Sequence, residues 1–207
     1  MRIFITGIGT GVGKTLVSAI ITEALQADYW KPVQAGLEEP DGQWIRDHIS
    51  NKTSVIHESE YALKLPASPH ISAREENTSI DLQRIIKYIP STSNHLIIEG
   101  AGGLLVPLNE KEFIADLAMQ LDAKVILVSR NYLGSINHSL LTAEVCKQKG
   151  MDVLGWIFND QYMQYEDEIV NWSGFSKIST IPLAANVTKE FVLQQAALLK
   201  EQLHKLL

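Results

Sequence analysis

The sequence is poor in cysteine, in basic runs and in long apolar runs. Cys146 is the one cysteine among 207 residues, so no intramolecular disulfide can form and a reducing compartment is expected. Eighteen Lys and Arg stand against 24 Asp and Glu, a net charge of −6, and no basic run offers a nucleic-acid surface. Apolar windows such as 96–108 contain Glu99 and several glycines and are shorter than the roughly 20 residues of a membrane-spanning helix. We therefore expect a cytoplasmic protein without nucleic-acid or membrane partners.

Short apolar runs alternate with longer segments of helical period, which is typical of parallel strands joined by crossover helices. The predicted strands are Arg2–Thr6, Tyr29–Pro32, His95–Glu99, Lys124–Ser129, Val153–Asn159 and Ile178–Ile181. The predicted helices are Lys14–Gln26, Ile80–Ile89, Phe113–Leu121, Ile136–Lys149 and Lys189–Leu206. Apolar runs without alternating polar residues indicate a sheet covered on both faces. The sequence therefore predicts an α/β fold with a mostly parallel sheet in a single domain, 1–207, with loops over the site between 37 and 79.

The strongest local signal is Gly-Ile-Gly-Thr-Gly-Val-Gly-Lys-Thr at 7–15, between the first predicted strand and helix. Glycines let successive backbone N–H groups curl around phosphate oxygens, and the helix start adds the positive end of its dipole. Lys14 adds a full charge, and Thr15 is placed to offer its hydroxyl to magnesium. The usual spacing has a glycine at the position of Ile8, so the segment is a variant phosphate loop. Because the first strand runs directly into it, we expect no signal peptide.

The phosphate loop indicates a nucleoside triphosphate but not a reaction. Partition-type ATPases carry a second, signature lysine, which here would fall at the position of Gly9. The Asn-Lys-x-Asp guanine-binding motif of signalling GTPases is absent, and Asn159-Asp160 has no lysine between its residues. These two observations argue against a partition ATPase and favour a base other than guanine.

Two charged residues stand at the ends of predicted strands, where ligands of parallel sheets bind. Lys31, in Lys-Pro-Val-Gln-Ala-Gly, is placed to hold a transferring phosphoryl group, although a lone lysine at a strand exit is more often simply solvated. Glu99 precedes Gly-Ala-Gly-Gly and is placed to hold magnesium opposite the phosphate loop. The general phosphate-loop template has Asp in this role. A glutamate at position 99 therefore argues against the commonest classes of NTPase.

Six segments together carry a family resemblance. They are Gly-x-Gly-Thr-Gly-Val-Gly-Lys-Thr at 7–15, Lys-Pro-Val-Gln-Ala-Gly at 31–36, Ser-Pro-His at 68–70, Glu-Gly-Ala-Gly-Gly at 99–103, Leu-Gly-Ser-Ile-Asn-His at 133–138 and Gly-Trp-Ile-Phe-Asn-Asp at 155–160. In this order they resemble the dethiobiotin synthetases over nearly the whole chain. The resemblance implies a P-loop NTPase fold and a homodimer that closes the ureido ring of dethiobiotin from 7,8-diaminononanoate, carbon dioxide and ATP. In that family the diamine becomes a carbamate, ATP phosphorylates the carbamate, and the second amine closes the ring with loss of phosphate.

The resemblance also implies roles for individual residues. Thr10, Lys14 and Lys31 would be catalytic, around the γ-phosphate and the carbamate, and Thr15, Asp41 and Glu99 would hold Mg²⁺. The ATP-binding residues would be Gly11, Val12, Gly13, Lys14, Thr15, Leu16, Asp41, Glu99, Asn159, Pro182, Leu183 and Ala184. In this set Asn159 would read the adenine beside 182–184. Asp47 lies in the same variable stretch as Asp41 and remains an alternative magnesium ligand.

The implied substrate-binding residues are Ala35, Gly102, Gly103, Gly134, Ser135 and Asn137. The last three open a predicted helix whose free amides suit the substrate's carboxylate. In the family this helix comes from the neighbouring subunit, which places the active site at the dimer interface. Many relatives have Ser or Thr at the position of Ala35, so a hydroxyl contact is lost or replaced here, and Gln34 is a candidate to replace it.

Two other functions share a phosphate loop of this kind. An amidoligase-like ATPase of the cobyrinic acid type is expected to carry a glutaminase domain as well, for which 207 residues leave no room. A nucleotide-switched regulatory ATPase would bind and hydrolyse ATP without a response to diaminononanoate. Phosphate release that depends on the diamine therefore distinguishes a synthetase from a regulator.

Overall fold

Strands and crossover helices alternate along the residues that the computed structural model describes, 1–160 and 163–207. Within these ranges the strands are β1 (Arg2–Gly7), β2 (Asp28–Trp30), β3 (Val33–Ala35), β4 (Ile56–His57), β5 (Tyr61–Leu63), β6 (Leu96–Gly103), β7 (Lys124–Arg130), β8 (Val153–Asn159) and β9 (Lys177–Ile181). The helices are α1 (Lys14–Leu25), α2 (Asp41–His48), α3 (Pro69–Glu75), α4 (Leu82–Lys87), α5 (Ile114–Gln120), α6 (Ser135–Lys149), α7 (Glu166–Ser173) and α8 (Lys189–Leu206).

Seven parallel strands of the described residues form the main sheet, in the order β4-β2-β6-β1-β7-β8-β9. Successive residues of the central strand β1 enter different cores. Phe4 packs in a cluster that includes residues of α5 and α6, whereas Ile3 and Ile5 pack in a cluster with residues of α1 and α8. All three are fully buried, which contributes about 1.5–3 kcal/mol for each side chain. The predicted α/β class, with a parallel sheet covered on both faces, is confirmed.

Helix α1 begins directly after the phosphate loop. Gly13 precedes it at φ 92° and Gln26 follows it at φ 49°, both in the left-handed region. The buried face includes Val17, Ile20, Ile21 and Ala24. These residues recur at spacings of three and four, so one side of the helix packs against the sheet and α8. That packing fixes the first turn of α1, which carries Lys14, at the carboxyl end of β1.

The region after β2 differs most from the prediction. A single strand over Tyr29–Pro32 is wrong at its end, because β2 stops at Trp30 and β3 starts at Val33. Pro32 has no N–H to donate to a ladder, and β3 pairs with β5 in a separate parallel sheet. Lys31 therefore lies between two sheets. The stretch 37–79 contains α2, β4, β5 and α3, of eight, two, three and seven residues, which are too short for periodicity to reveal.

Two other predicted elements differ from the structure by more than one residue at an end. Strand β6 starts one residue after His95 and continues through the glycines to Gly103. The helix predicted over 80–89 is the shorter α4, whose start is capped by Asp81, since its side chain accepts a hydrogen bond from the backbone N–H of Gln83. Among the described residues, none of the helices combines the length and the apolar character that a membrane crossing requires.

Candidate active site

The phosphate loop lies at the carboxyl end of the central strand and depends on glycine at several positions. Gly11 and Gly13 have φ of 71° and 92°, a conformation that side chains with a Cβ rarely adopt. A Cβ at Gly13 would also lie 2.0 Å from Nδ2 of Asn159. That amide nitrogen donates a hydrogen bond of 2.7 Å to the carbonyl of Val12. The last residue of β8 thus fixes the conformation of the loop through a hydrogen bond to its backbone.

The ammonium group of Lys14 is turned onto the loop itself. Its Nζ donates a hydrogen bond of 2.8 Å to the carbonyl oxygen of Gly9. Burial lowers the pKa of this lysine from 10.5 to about 8, and the opposing charges of Glu99 and Asp41 only partly offset that effect. A phosphate beside the ammonium group would supply the negative charge that the buried lysine lacks.

Four side chains from four parts of the chain meet beside this loop. The hydroxyl oxygen of Thr15 lies 2.5 Å from Oδ1 of Asp41 and 3.0 Å from Oε1 of Glu99. Nζ of Lys31 forms an ion pair with Oδ2 of Asp41 and lies 3.5 Å from Oε1 of Glu99. We call these four residues the charged cluster. It places a hydroxyl, two carboxylates and an ammonium group within contact of one another.

The charges of the cluster stabilise one another. Burial alone would lower the pKa of Lys31, but the attraction of Glu99 and Asp41 outweighs burial and raises it above its ordinary value. Burial alone would raise the pKa of Asp41, and the nearby Lys31 lowers it below its ordinary value. Near neutral pH, Lys31 is therefore a cation and Asp41 an anion.

Neighbouring strands and a short helix place three members of the charged cluster. Glu99 pairs with Ile5 between the adjacent strands β6 and β1, and Lys31 follows β2, the next strand along the sheet. Asp41 is the first residue of α2, and its backbone N–H donates a hydrogen bond of 3.2 Å to Oε1 of Gln34. Asp47, the alternative magnesium ligand, instead accepts hydrogen bonds from the exposed Gln43. The structure therefore brings Asp41, and not Asp47, to Thr15.

Behind the cluster stands Tyr29, which the sequence analysis did not single out. Its side chain is fully buried and its hydroxyl donates a hydrogen bond of 3.0 Å to Oε2 of Glu99. Burial raises the pKa of Tyr29 well above its ordinary value, and the charges of Glu99 and Asp41 raise it further. The signal in the sequence was strand alternation, which places residues 29 and 31 on the same side of an extended chain.

A cavity of about 700 Å³ opens in front of the loop and the cluster. Its walls are Thr10, Gly11, Gly13, Lys14, Thr15, Lys31, Ala35, Asp41, Pro66, Ala67, Ser68, Pro69, Glu99, Ala101, Gly102 and Val106. Of the predicted substrate residues, Ala35 and Gly102 therefore line this cavity. The predicted catalytic residue Thr10 also lines it and lies next to Gly102. Ser68 and Pro69 belong to the segment 68–70 that carried the resemblance, but no role had been assigned to them.

Other predicted residues lie outside the walls of this cavity. Gly103 lies against the backbone of Gly7, whose carbonyl oxygen would be 3.2 Å from a Cβ placed there. Leu16 is partly buried against the cluster of α1 and α8. Ile181 pairs with Asn159 across β9 and β8, so 182–184 follow beside Asn159 at the same edge of the sheet. The predicted adenine residues are thus neighbours of one another, although Leu183 is 71% exposed.

The start of α6 also lies outside this cavity. Gly134 and Asn137 are exposed, and Ser135 is fully buried with its hydroxyl 2.7 Å from that of Tyr165. Within one chain, these three predicted substrate residues are therefore not assembled with the phosphate loop.

Gln34 does not replace the hydroxyl that is missing at Ala35. Its Nε2 donates a hydrogen bond of 2.9 Å to the carbonyl of Gly36, while its Oε1 accepts from Asp41. The side chain is buried and is not part of the cavity wall. Gln34 fixes the start of α2, a role that depends on contacts between two elements and leaves no pattern in the sequence.

Comparison with known proteins decides the family. A protein-family model described as an AAA domain matches residues 1–196. The ATP-dependent dethiobiotin synthetase BioD of Cytophaga hutchinsonii is 51% identical over 193 residues, which cover 92% of this chain and 93% of that protein. The chain belongs to the dethiobiotin synthetase family. Another member, from Agrobacterium fabrum, is 40% identical over 199 residues, covering 95% of this chain and 93% of its own.

Solved structures of two cell-division ATPases share the fold of this chain. The MinC:MinD cell division protein complex of Aquifex aeolicus matches with a TM-score of 0.61 and 17% identity, covering 99% of this chain and 95% of that one. The cell division ATPase MinD of Pyrococcus furiosus matches with a TM-score of 0.57 and 14% identity, covering 100% and 99%. At such identities the likeness concerns the fold alone, and it confirms the predicted P-loop NTPase fold.

Proposed function

We propose that this chain is an ATP-dependent cyclo-ligase that closes the ureido ring of dethiobiotin. It uses 7,8-diaminononanoate, CO₂ and ATP, releases ADP and phosphate, and serves biotin biosynthesis in the cytoplasm. Two observations together support this function. Lys31, Asp41 and Glu99 line the same cavity as the phosphate loop, and the chain is 51% identical to a dethiobiotin synthetase. Residues 1–207 form one domain of each subunit.

The first chemical step joins the carbamate to phosphate. A carbamate formed from CO₂ and one amine attacks the γ-phosphorus of ATP, and ADP leaves. Negative charge on the transferring group is stabilised by Lys14 and Lys31, and fixed charges of this kind act strongly where water is excluded. The pair of carboxylates beside Lys31 supports this role, because it keeps the lysine protonated in a buried place. Thr10 adds a hydroxyl at the rim of the same cavity.

The second chemical step closes the ring. The free amine attacks the carbonyl carbon of the carbamic-phosphoric anhydride, and phosphate leaves. Ala35 and Gly102 line the part of the cavity that receives the diamine. Both residues are small and leave room for the carbon chain of the diamine. The family resemblance implies a hydroxyl contact at the position of Ala35, which this chain lacks, and Ser68 supplies a hydroxyl elsewhere in the cavity wall.

Magnesium fits the oxygen donors of the charged cluster. The hydroxyl of Thr15 and the carboxylates of Asp41 and Glu99 are hard ligands, and Mg²⁺ is usually held by one or two carboxylates together with phosphate oxygens and waters. The ammonium group of Lys31 at both carboxylates supports the assignment, because it shows that the pair attracts a cation. When bound, Mg²⁺ would neutralise charge on the phosphate oxygens of ATP.

The adenine end of ATP reaches Asn159 and residues 182–184. Asn159 is joined to the phosphate loop through the carbonyl of Val12, so a base at its side chain and phosphates in the loop belong to one ligand. Pro182 and Ala184 are partly exposed beside it. They offer the apolar surface against which a purine packs.

A second copy of the chain completes the substrate site in a homodimer. The positions of Gly134, Ser135 and Asn137 away from the cavity support this arrangement, since a partner is then needed to bring them to the substrate's carboxylate. Large apolar side chains are exposed nearby, with Leu133 at 89%, Leu141 at 58% and Leu105 at 55%. Such side chains favour burial in a contact between subunits.

Mixing two inactive variants tests the shared site. Lys14→Ala removes the phosphate end, and Asn137→Asp places a negative charge at the start of α6, where it repels the substrate's carboxylate. In an equal mixture, random pairing makes about half of the dimers mixed, and each mixed dimer has one intact site of two. Activity should therefore return to about a quarter of the wild-type level. Activity that stays absent after mixing would contradict a site built from two subunits.

Phosphate release tests the reaction itself. With ATP, magnesium and bicarbonate, the purified protein should release phosphate only when 7,8-diaminononanoate is present. Release at the same rate without the diamine would keep the ATPase but exclude the synthetase, and would favour a nucleotide-switched regulator.

A further inference from the structure

The two carboxylate oxygens of Glu99 have different surroundings. Oε1 faces the charged cluster, 3.0 Å from the hydroxyl of Thr15 and 3.5 Å from Nζ of Lys31. Oε2 faces away and accepts the hydrogen bond of 3.0 Å from the hydroxyl of Tyr29. A carboxylate that is fixed through one oxygen cannot rotate freely about its last bond. The oxygen left over is thereby held towards the cavity.

The ring that carries this hydroxyl is itself rigidly placed. Tyr29 lies in β2 between β4 and β6, where it pairs with Ile56 and Ile97, and it is fully buried. A hydroxyl on such a ring has no solvent to turn to, so its geometry towards Glu99 is set by the sheet. The hydrogen bond links residues 70 positions apart in the chain.

The same ring also supports the helix that carries the second carboxylate. A Cβ at Gly42 would lie 3.9 Å from Cε1 of Tyr29 and 3.5 Å from Cγ2 of Ile56. The start of α2 therefore rests close to the tyrosine, and Asp41 precedes Gly42 directly. One side chain thus underlies both carboxylates of the charged cluster.

We propose that Tyr29 is a positioning residue, whose hydroxyl holds the Glu99 carboxylate in the orientation that receives the divalent cation of the nucleotide. The inference rests on the proposed function only in that Glu99 binds the cation. Tyr29 itself is fully buried and is not part of the cavity wall. Hydrogen-bond partners that orient a metal ligand typically change metal affinity by about 10- to 100-fold when removed.

Tyr29→Phe tests this role, because it removes the hydroxyl and keeps the ring. The primary measurement is Mn²⁺ binding to the protein saturated with ADP, followed by the electron paramagnetic resonance signal of free Mn²⁺. We expect the Mn²⁺ dissociation constant to rise about 10- to 100-fold. Affinity for ADP without metal should stay within about twofold of wild type, as for any change that leaves the loop intact.

A matched control is available in Tyr61. Its hydroxyl accepts a hydrogen bond of 3.0 Å from the backbone N–H of Asp81, and it lies outside the cavity wall. Tyr61→Phe removes the same atoms from another buried tyrosine and should leave the Mn²⁺ dissociation constant within about twofold of wild type. In turnover, Tyr29→Phe should raise the Mg²⁺ concentration for half-maximal rate, while excess Mg²⁺ should restore kcat.

Unchanged Mn²⁺ binding in Tyr29→Phe would overturn the proposal. If the variant loses more thermal stability than Tyr61→Phe, the comparison is repeated in a Glu99→Gln background. There the tyrosine should have no further effect on Mn²⁺ binding, and the same fold-change as in the wild-type background would also overturn the proposal. Diamine-independent phosphate release by the wild type, with weakened Mn²⁺ binding in Tyr29→Phe, would instead overturn the proposed function and leave the positioning role standing.

Discussion

Replacing Lys31 by methionine separates the two consequences of its position. Methionine keeps much of the apolar stem but removes the cation between Asp41 and Glu99. The side chains of Lys31 and Asp41 are only 11% and 22% exposed, so two anions would remain in a largely buried place without their partner. We therefore expect a loss of both folding stability and catalysis in the same variant.

The expected magnitudes follow from these contacts. Removing one partner of a buried ion pair typically costs about 3–5 kcal/mol, and the partial exposure of Asp41 places this case near about 3 kcal/mol. For a chain of this size that corresponds to a fall in Tm of about 6–12 °C. Because Mg²⁺ supplies a cation to the same carboxylates, adding Mg²⁺ and ADP should recover much of the lost Tm. The rate should remain lower by about 10²–10³-fold, since the stabilising charge on the transferring group is still missing.

Thermal denaturation with and without Mg²⁺ and ADP, together with an ADP-release assay, measures these effects. Lys147→Met is a matched control, because Lys147 pairs with Glu144 on an exposed surface and such pairs contribute about 0–1 kcal/mol. A Tm of Lys31→Met within about 2 °C of wild type without metal would show that the cation does not stabilise the two carboxylates. A fall in kcat of less than about tenfold would show that Lys31 does not stabilise the transferring group.

Three further predictions concern the nucleotide. Gly13→Ala should abolish ATP binding, because φ is 92° and the new Cβ would collide with Asn159; calorimetry showing near-normal affinity would contradict this account. Asn159→Ala should raise the KM for ATP more than it lowers kcat, because it removes the hydrogen bond to Val12 and the proposed contact to adenine; an unchanged KM would exclude both roles. ATP affinity should be constant below pH 8 and fall above it, because the lowered pKa of Lys14, about 8, means that its cation is lost there. Lys14→Arg should remove this fall, since Arg stays charged, and a fall of the same size in that variant would assign the titration to another group.

Local patterns in the sequence predicted the centre of the fold. A strand, a glycine-rich loop and a helix of regular period lie within the first 25 residues, so β1, the phosphate loop and α1 follow from neighbouring residues alone. Lys31 and Glu99 could be placed because parallel strands bring their carboxyl ends to one edge of a sheet. The structure puts both beside the loop, as the strand order requires.

Contacts between distant short elements could not be predicted in this way. Asp41 reaches Thr15 because Gln34 fixes the start of an eight-residue helix, and no periodicity marks so short an element. The division of β2 from β3 depends on a second sheet formed with β5, within the stretch that looked structureless. The hydrogen bond from Tyr29 to Glu99 needs both strand order and side-chain direction. For the same reason the sequence suggests Gln34 as a substrate contact, whereas its side chain bonds the backbone of Gly36 and Asp41.

The proposed activity joins a diamine and CO₂ into a cyclic urea in a reaction driven by ATP, so the carbon atom of bicarbonate must enter the product. Purified protein with magnesium, ATP, 7,8-diaminononanoate and ¹³C-bicarbonate is analysed by mass spectrometry, and ADP is quantified in the same sample. We predict a product with the mass of dethiobiotin that carries the label, formed in equal amount to ADP. ADP formed without a labelled cyclic urea would contradict ring closure by this chain.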